Sequence, residues 1–60
     1  MLEYFNELSQ RRDQIIQQMS NLENIAADTD EKEYLIQMNY EWLETKLTEV
    51  DKLIRYISNA

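Results

Sequence analysis

Apolar residues recur at a seven-residue spacing through both ends of this chain and fail to do so in its middle, and that interrupted period restricts the fold more than any other feature. With a at residues 5, 12, 19, 26, 33, 40, 47 and 54, the a series is Phe5, Arg12, Met19, Ala26, Glu33, Tyr40, Leu47 and Ile54. The d series is Met1, Leu8, Ile15, Leu22, Thr29, Ile36, Leu43, Val50 and Ile57, apolar everywhere except at the centre. A 3.5-residue repeat places these side chains on one stripe of a helix, which predicts long amphipathic helices packed in coiled-coil fashion. No stretch alternates with period two, so strands have no competing signal.

The segment Ala26-Ala27-Asp28-Thr29-Asp30-Glu31-Lys32-Glu33 has no large apolar residue and concentrates Asp and Thr, which are weak in helix interiors. A turn is expected there, with helix 1 over about 2–27, the turn over about 27–31 and helix 2 over about 29–58. Asp28 with Glu31, or Asp30 with Glu33, fits an acidic relative of the capping box, and the acids suit the positive end of a second helix. Folding the chain near residue 29 brings Leu22 to Ile36, Ile15 to Leu43 and Leu8 to Val50. The a positions then match Met19 with Tyr40, Arg12 with Leu47 and Phe5 with Ile54. The expected fold is all-α, one antiparallel helical hairpin. The heptad phase nevertheless runs through the centre without a stutter, so one continuous helix of about 90 Å in a dimeric coiled coil is the alternative.

At 60 residues the chain makes one domain, and a domain of this size is marginal by itself. It has no Cys and no His, which removes disulfides and zinc as staples and leaves oligomerisation to enlarge the core. A homodimer forming a four-helix bundle is expected. The absence of Gly and Pro disfavours hairpin-rich sheets and phosphate-cradling loops. No run of about 18 apolar residues is present, and Met1-Leu2-Glu3-Tyr4 has no basic stretch before an apolar core. Neither a membrane span nor a secretory signal is expected, and the expected location is cytoplasmic.

Helix 2 carries more apolar surface than one seam uses. Leu35, Met38, Trp42, Leu53 and Tyr56 form a second stripe about 100° from the Ile36-Leu43-Val50-Ile57 line. Helix 1 adds Leu2, Tyr4, Ile16 and Ile25 beside its own seam. The stripe is read either as homodimer core or as a face for a heterologous protein, with Trp42 its principal anchor, because aromatic residues and Met are enriched at interfaces. Arg11 at g and Arg12 at a flank the seam in mid-helix, where their stems cover Leu8 and Ile15 and their heads reach Glu7, Glu49 or a carboxylate of a second chain. Exposed pairs are expected between Glu7 and Arg11 and between Asp51 and Arg55.

Twelve acids against six bases give a net charge of -6, and both halves of the chain are acidic. Backbone binding to DNA or RNA depends on Lys and Arg, so nucleic acid is not an expected partner, with Arg11-Arg12 the one small basic patch. Acidity serves solubility or, more specifically, imitation of nucleic acid at a basic partner. Without His or Cys, and with Ser9, Ser20 and Ser58 lacking a base to activate them, no catalytic residue is assigned. Glu41 and Glu44 lie one turn apart on a solvated face, which gives a glycosidase-like or carboxylate-bridged metal reading little support. The acids at 28, 30, 31 and 33 lack the turn Gly and terminal Glu of a calcium loop, so neither a metal nor a cofactor is assigned.

Two resemblances accompany this reading. The length, the hairpin and the acidic central turn look like the Rop-type plasmid-copy-number regulators, which implies a dimeric four-helix bundle binding paired RNA loops, with Arg11 and Arg12 as the available basic residues. Leu47-Thr48-Glu49-Val50-Asp51 is similar to the Ser-Gln-Glu-Leu-Asp signature of small helical-hairpin phosphatases acting on sporulation response regulators. Glu49, an apolar residue at 50 and Asp51 match, while Leu47 and Thr48 depart from it. That resemblance implies a phosphorylated response regulator as partner and a part for Asp51 in its dephosphorylation. The residues themselves favour a small non-catalytic regulator or inhibitor, of the kind found among phage and bacterial small proteins, that occupies a larger protein through Trp42, Leu35, Met38, Tyr56 and Leu53 with Arg11 and Arg12 nearby.

Overall fold

In the computed structural model, which describes residues 2–59, the chain forms two helices, α1 (Leu2–Glu23) and α2 (Asp30–Asn59), joined by residues 24–29. The molecule is 46 Å long and 14 × 11 Å across. At about 1.5 Å per residue that length is α2 alone, so α1 lies alongside it and the chain is a hairpin rather than a continuous rod.

Four side chains are buried, Leu8 and Ile15 on α1 and Leu43 and Val50 on α2, and all four are d residues. They are the pairs the folded heptad matches, Ile15 with Leu43 and Leu8 with Val50. Met19, Leu22, Leu47, Ile54 and Ile57 pack against them half-buried. Full burial of a Leu, Ile or Val side chain is worth roughly 1.5–3 kcal/mol, so these two layers hold the helices together.

The reversal is made differently from expectation. α1 stops at Glu23, four residues short of residue 27, because the last turn tightens: Asn24 N–H donates to the Asn21 carbonyl and Ile25 N–H to the Leu22 carbonyl, each at 3.2 Å. A short left-handed cap is the usual way out of a helix, and it favours Gly. This chain has none, and among the described residues no φ is positive, so six residues carry the chain across instead.

The cap of α2 is Thr29, neither Asp28 nor Asp30. Thr29 Oγ1 accepts from the Lys32 N–H at 3.1 Å, and its carbonyl accepts from the Glu33 N–H at 3.0 Å. A hydroxyl reaches the third helical N–H as well as a carboxylate does. Asp28 is thereby free to pair with Lys32 at 2.9 Å, and Asp30, Glu31 and Glu33 lie in the first turn, where the helix dipole favours negative charge.

Candidate partner-binding groove

Around the seam, the d side chains lean toward the g positions and the a side chains toward e, so the hairpin has two unlike flanks. On the g flank a groove of about 350 Å3 runs between the helices, with Leu8, Ile15, Leu43 and Val50 as its floor. Tyr4, Arg11 and Gln18 stand on the α1 wall, and Trp42, Lys46, Glu49 and Leu53 on the α2 wall. Toward the turn it continues past Asn21 and Asn39, and a shallow depression beside Trp42 is lined by Leu35 and Met38.

Trp42 is 60% exposed and Tyr56 76%, while Leu35, Met38 and Leu53 are about half exposed. Leu35, Met38, Trp42 and Leu53 therefore share this flank as the heptad predicts, and Tyr56 continues it one turn beyond Leu53. The apolar residues of α1 do not all join them. Tyr4 lines the groove, whereas Leu2 lies with Phe5, Ile57 and Ser58 at the opposite flank, and Ile25 lies in the connection beside Ala27.

Lys46 Nζ lies 5.5 Å from the centroid of the Trp42 ring and 3.7 Å from Glu49 Oε2. The ammonium is shared between an aromatic face and a carboxylate one turn on, which holds the indole against the α2 wall. Arg11 makes no ion pair among the described residues, and neither the Glu7–Arg11 nor the Asp51–Arg55 pair forms. Such exposed i,i+4 contacts are worth a few tenths of a kcal/mol, too little to fix long side chains. The pairs present there are Arg12–Asp13, Lys32–Asp28 and Lys46–Glu49.

No family model, curated protein or solved structure matches this chain. Function must be argued from the surface itself.

The two arginines do not form one patch. Arg11 stands in the groove wall, while Arg12, at an a position, leans to the other flank. Its guanidinium reaches Asp13 at 3.8 Å rather than Glu7 or Glu49, and its Nε is buried without a hydrogen-bond partner. A buried N–H without a partner is a cost to stability.

The e flank is acidic. Its heptad positions hold Glu23, Glu44 and Asp51 among Ser9, Ile16, Gln37 and Ser58 and no base. Tyr40 is anchored there: its O–H donates to Glu23 Oε1 at 2.9 Å, tying the end of α1 to α2. That bond to Glu23 comes first among the causes that raise the Tyr40 pKa above the usual phenol value, followed by desolvation and the charges of Glu23 and Glu44. Asp51 is half-buried on this flank, and the other eleven acids of the chain are exposed.

The acids at the start of α2 do not converge; among the described residues no group of three or more His, Cys, Asp or Glu is placed to hold a metal ion. No helix among them is long and apolar enough to cross a membrane. The flank asymmetry follows from letters e and g once the hairpin is known, whereas the partial burial of Asp51 does not, since Glu23 and Glu44 occupy the same letter and are exposed.

Proposed function

We propose that this chain is a non-catalytic helical interaction module that regulates a larger protein by occupying it with the Trp42 flank. The observation that supports the reading is the set of exposed apolar residues on one flank, Leu35, Met38 and Trp42 toward the turn and Leu53 and Tyr56 beyond the Lys46–Glu49 pair, beside a groove with an apolar floor. Exposed apolar area concentrated in one patch marks an interaction site, and a groove between helices is a receptacle for another helix. The test is capture from a lysate of the source cells by the immobilised chain, with Trp42→Ala as control. The reading requires a protein retained by the wild type and lost with Trp42→Ala while circular dichroism shows unchanged helix; identical retention sinks it.

A second reading is supported by Asp51, the one acid withdrawn from full solvent exposure, within the segment similar to the response-regulator phosphatase signature. Asp51 itself lies on the flank opposite Trp42, so the two readings are separable by substitutions at these two residues. Dephosphorylation of an acyl-phosphorylated response regulator, lost with Asp51→Ala and kept with Trp42→Ala, is the result it requires.

A further inference from the structure

The accessible surface measures how much of this hairpin is left uncovered. A folded monomer of 7.3 kDa exposes about 4,200 Å2 by the usual scaling with mass. This one exposes 5047 Å2. The excess is roughly 900 Å2, close to the approximately 800 Å2 that one partner contributes to a standard interface. Its radius of gyration, 14.3 Å, compares with about 10 Å for a compact chain of this length. The hairpin is elongated, and its uncovered surface is of the size that one partner in a standard interface covers.

The groove also has an internal symmetry. Glu44, half a residue from the centre of α2 (Asp30–Asn59), is level with Gln14 across the seam. Leu35 and Leu53 lie at equal distances on either side of Glu44, and their separation, an even number of half-turns, puts them on the same side of the helix. Trp42 and Lys46 are likewise equally spaced about it, and Gln14 lines the groove at the same height.

We infer that the occupant of the groove is the groove of a second copy of this chain, docked antiparallel about a twofold axis passing at the height of Gln14 and Glu44. In that arrangement Leu35 of each copy faces Leu53 of the other, and Trp42 of each faces the second copy's Lys46, repeating between chains the cation–π contact already made within one. Gln14 meets its own symmetry mate, where two amides satisfy each other. The interface is isologous, so it closes at two chains and leaves both acidic flanks facing outward on opposite sides of a four-helix bundle. The dimer covers Leu35, Trp42 and Leu53, so a larger protein engages this flank by displacing the second copy. The inference rests on the Trp42 flank being a docking surface and names one occupant for its centre.

The chain has no cysteine, so introduced thiols report unambiguously. Leu35→Cys and Leu53→Cys are prepared separately and oxidised mildly, alone and mixed, alongside mass determination by sedimentation equilibrium. The expected result is a wild-type mass twice 7.3 kDa, a disulfide-linked dimer in the mixture, and little linkage in either variant alone. Linkage of either variant to itself, or none in the mixture, overturns the antiparallel groove-to-groove dimer. So does a wild-type chain that remains monomeric at millimolar concentration. A monomer whose capture of a larger protein still depends on Trp42 overturns this inference alone, whereas a dimer with these links whose capture of larger proteins ignores Trp42 keeps it and defeats the proposed regulatory function.

Discussion

The two flanks of the hairpin are built on one seam from the same two helices, yet they differ in chemistry. The g flank has a dry floor of buried Leu8, Ile15, Leu43 and Val50, with aromatic and aliphatic walls and the bases Arg11 and Lys46. The e flank is bordered by the a residues, which include Arg12 and Tyr40, and carries Glu23, Glu44 and Asp51. A two-helix hairpin cannot bury both sides of its helices, so it must choose which side to leave compatible with water. Glu23, Glu44 and Asp51 lie on one flank, whereas the groove flank has a single lining acid, Glu49, which is paired with Lys46, among exposed apolar side chains.

The strongest way to break this comparison is to remove the seam on which both flanks depend. Leu43→Ala deletes one of four buried side chains and is expected to cost about 2–5 kcal/mol. In a hairpin with two fully buried layers that unfolds the chain, seen as loss of helical circular dichroism and of both surfaces together.

A matched pair of surface changes sharpens the contrast. Trp42→Gln on the groove wall is expected to weaken association about tenfold, read by sedimentation. Ile16→Gln, at a residue almost equally exposed but on the acidic flank, should leave association unchanged and stability within about 0.5 kcal/mol. Equal effects from the two would mean that the flanks are not functionally distinct.

Arg12→Leu makes the a layer opposite Leu47 apolar and removes the buried, unpaired Nε. Stability should rise by about 1 kcal/mol in denaturant titration. A fall would show that the Asp13 contact or the Arg12 stem contributes more than the unpaired N–H costs.

The smallest effect is at Tyr40. Its folded-state pKa is raised, chiefly by the hydrogen bond to Glu23, so its contribution to stability is fully present below the unfolded phenol pKa of about 10 and is lost as pH rises through the folded value. Tyr40→Phe should therefore be slightly less stable than the wild type at neutral pH, and the two should converge at strongly alkaline pH. A difference that persists there would assign the effect of Tyr40 to packing.

Much of the hairpin is legible in the letters. The d residues at 8, 15, 43 and 50 are the buried ones, because a period of 3.5 leaves a side chain no other direction once two helices pair. The weak central layers mark the bend for the same reason: Ala26, Thr29 and Glu33 offer little to bury. The cap was misassigned because four oxygen-bearing residues, Asp28, Thr29, Asp30 and Glu31, stand in a row, and propensity does not say which one reaches the third N–H. The lone acid withdrawn from solvent, Asp51, is no different in sequence from its neighbours on the same helix face.

The sequence by itself determined that the chain is helical, that it folds back near its middle, and which residues fill the seam, since these follow from periodicity and the absence of Gly and Pro. Only the tertiary structure decided where α1 ends, which residue caps α2, and that the Arg12 guanidinium reaches Asp13 and leaves its buried Nε unpaired. Those outcomes depend on how two helices pack and how the chain between them is routed, a difference of a few Å that the period of the apolar residues does not encode.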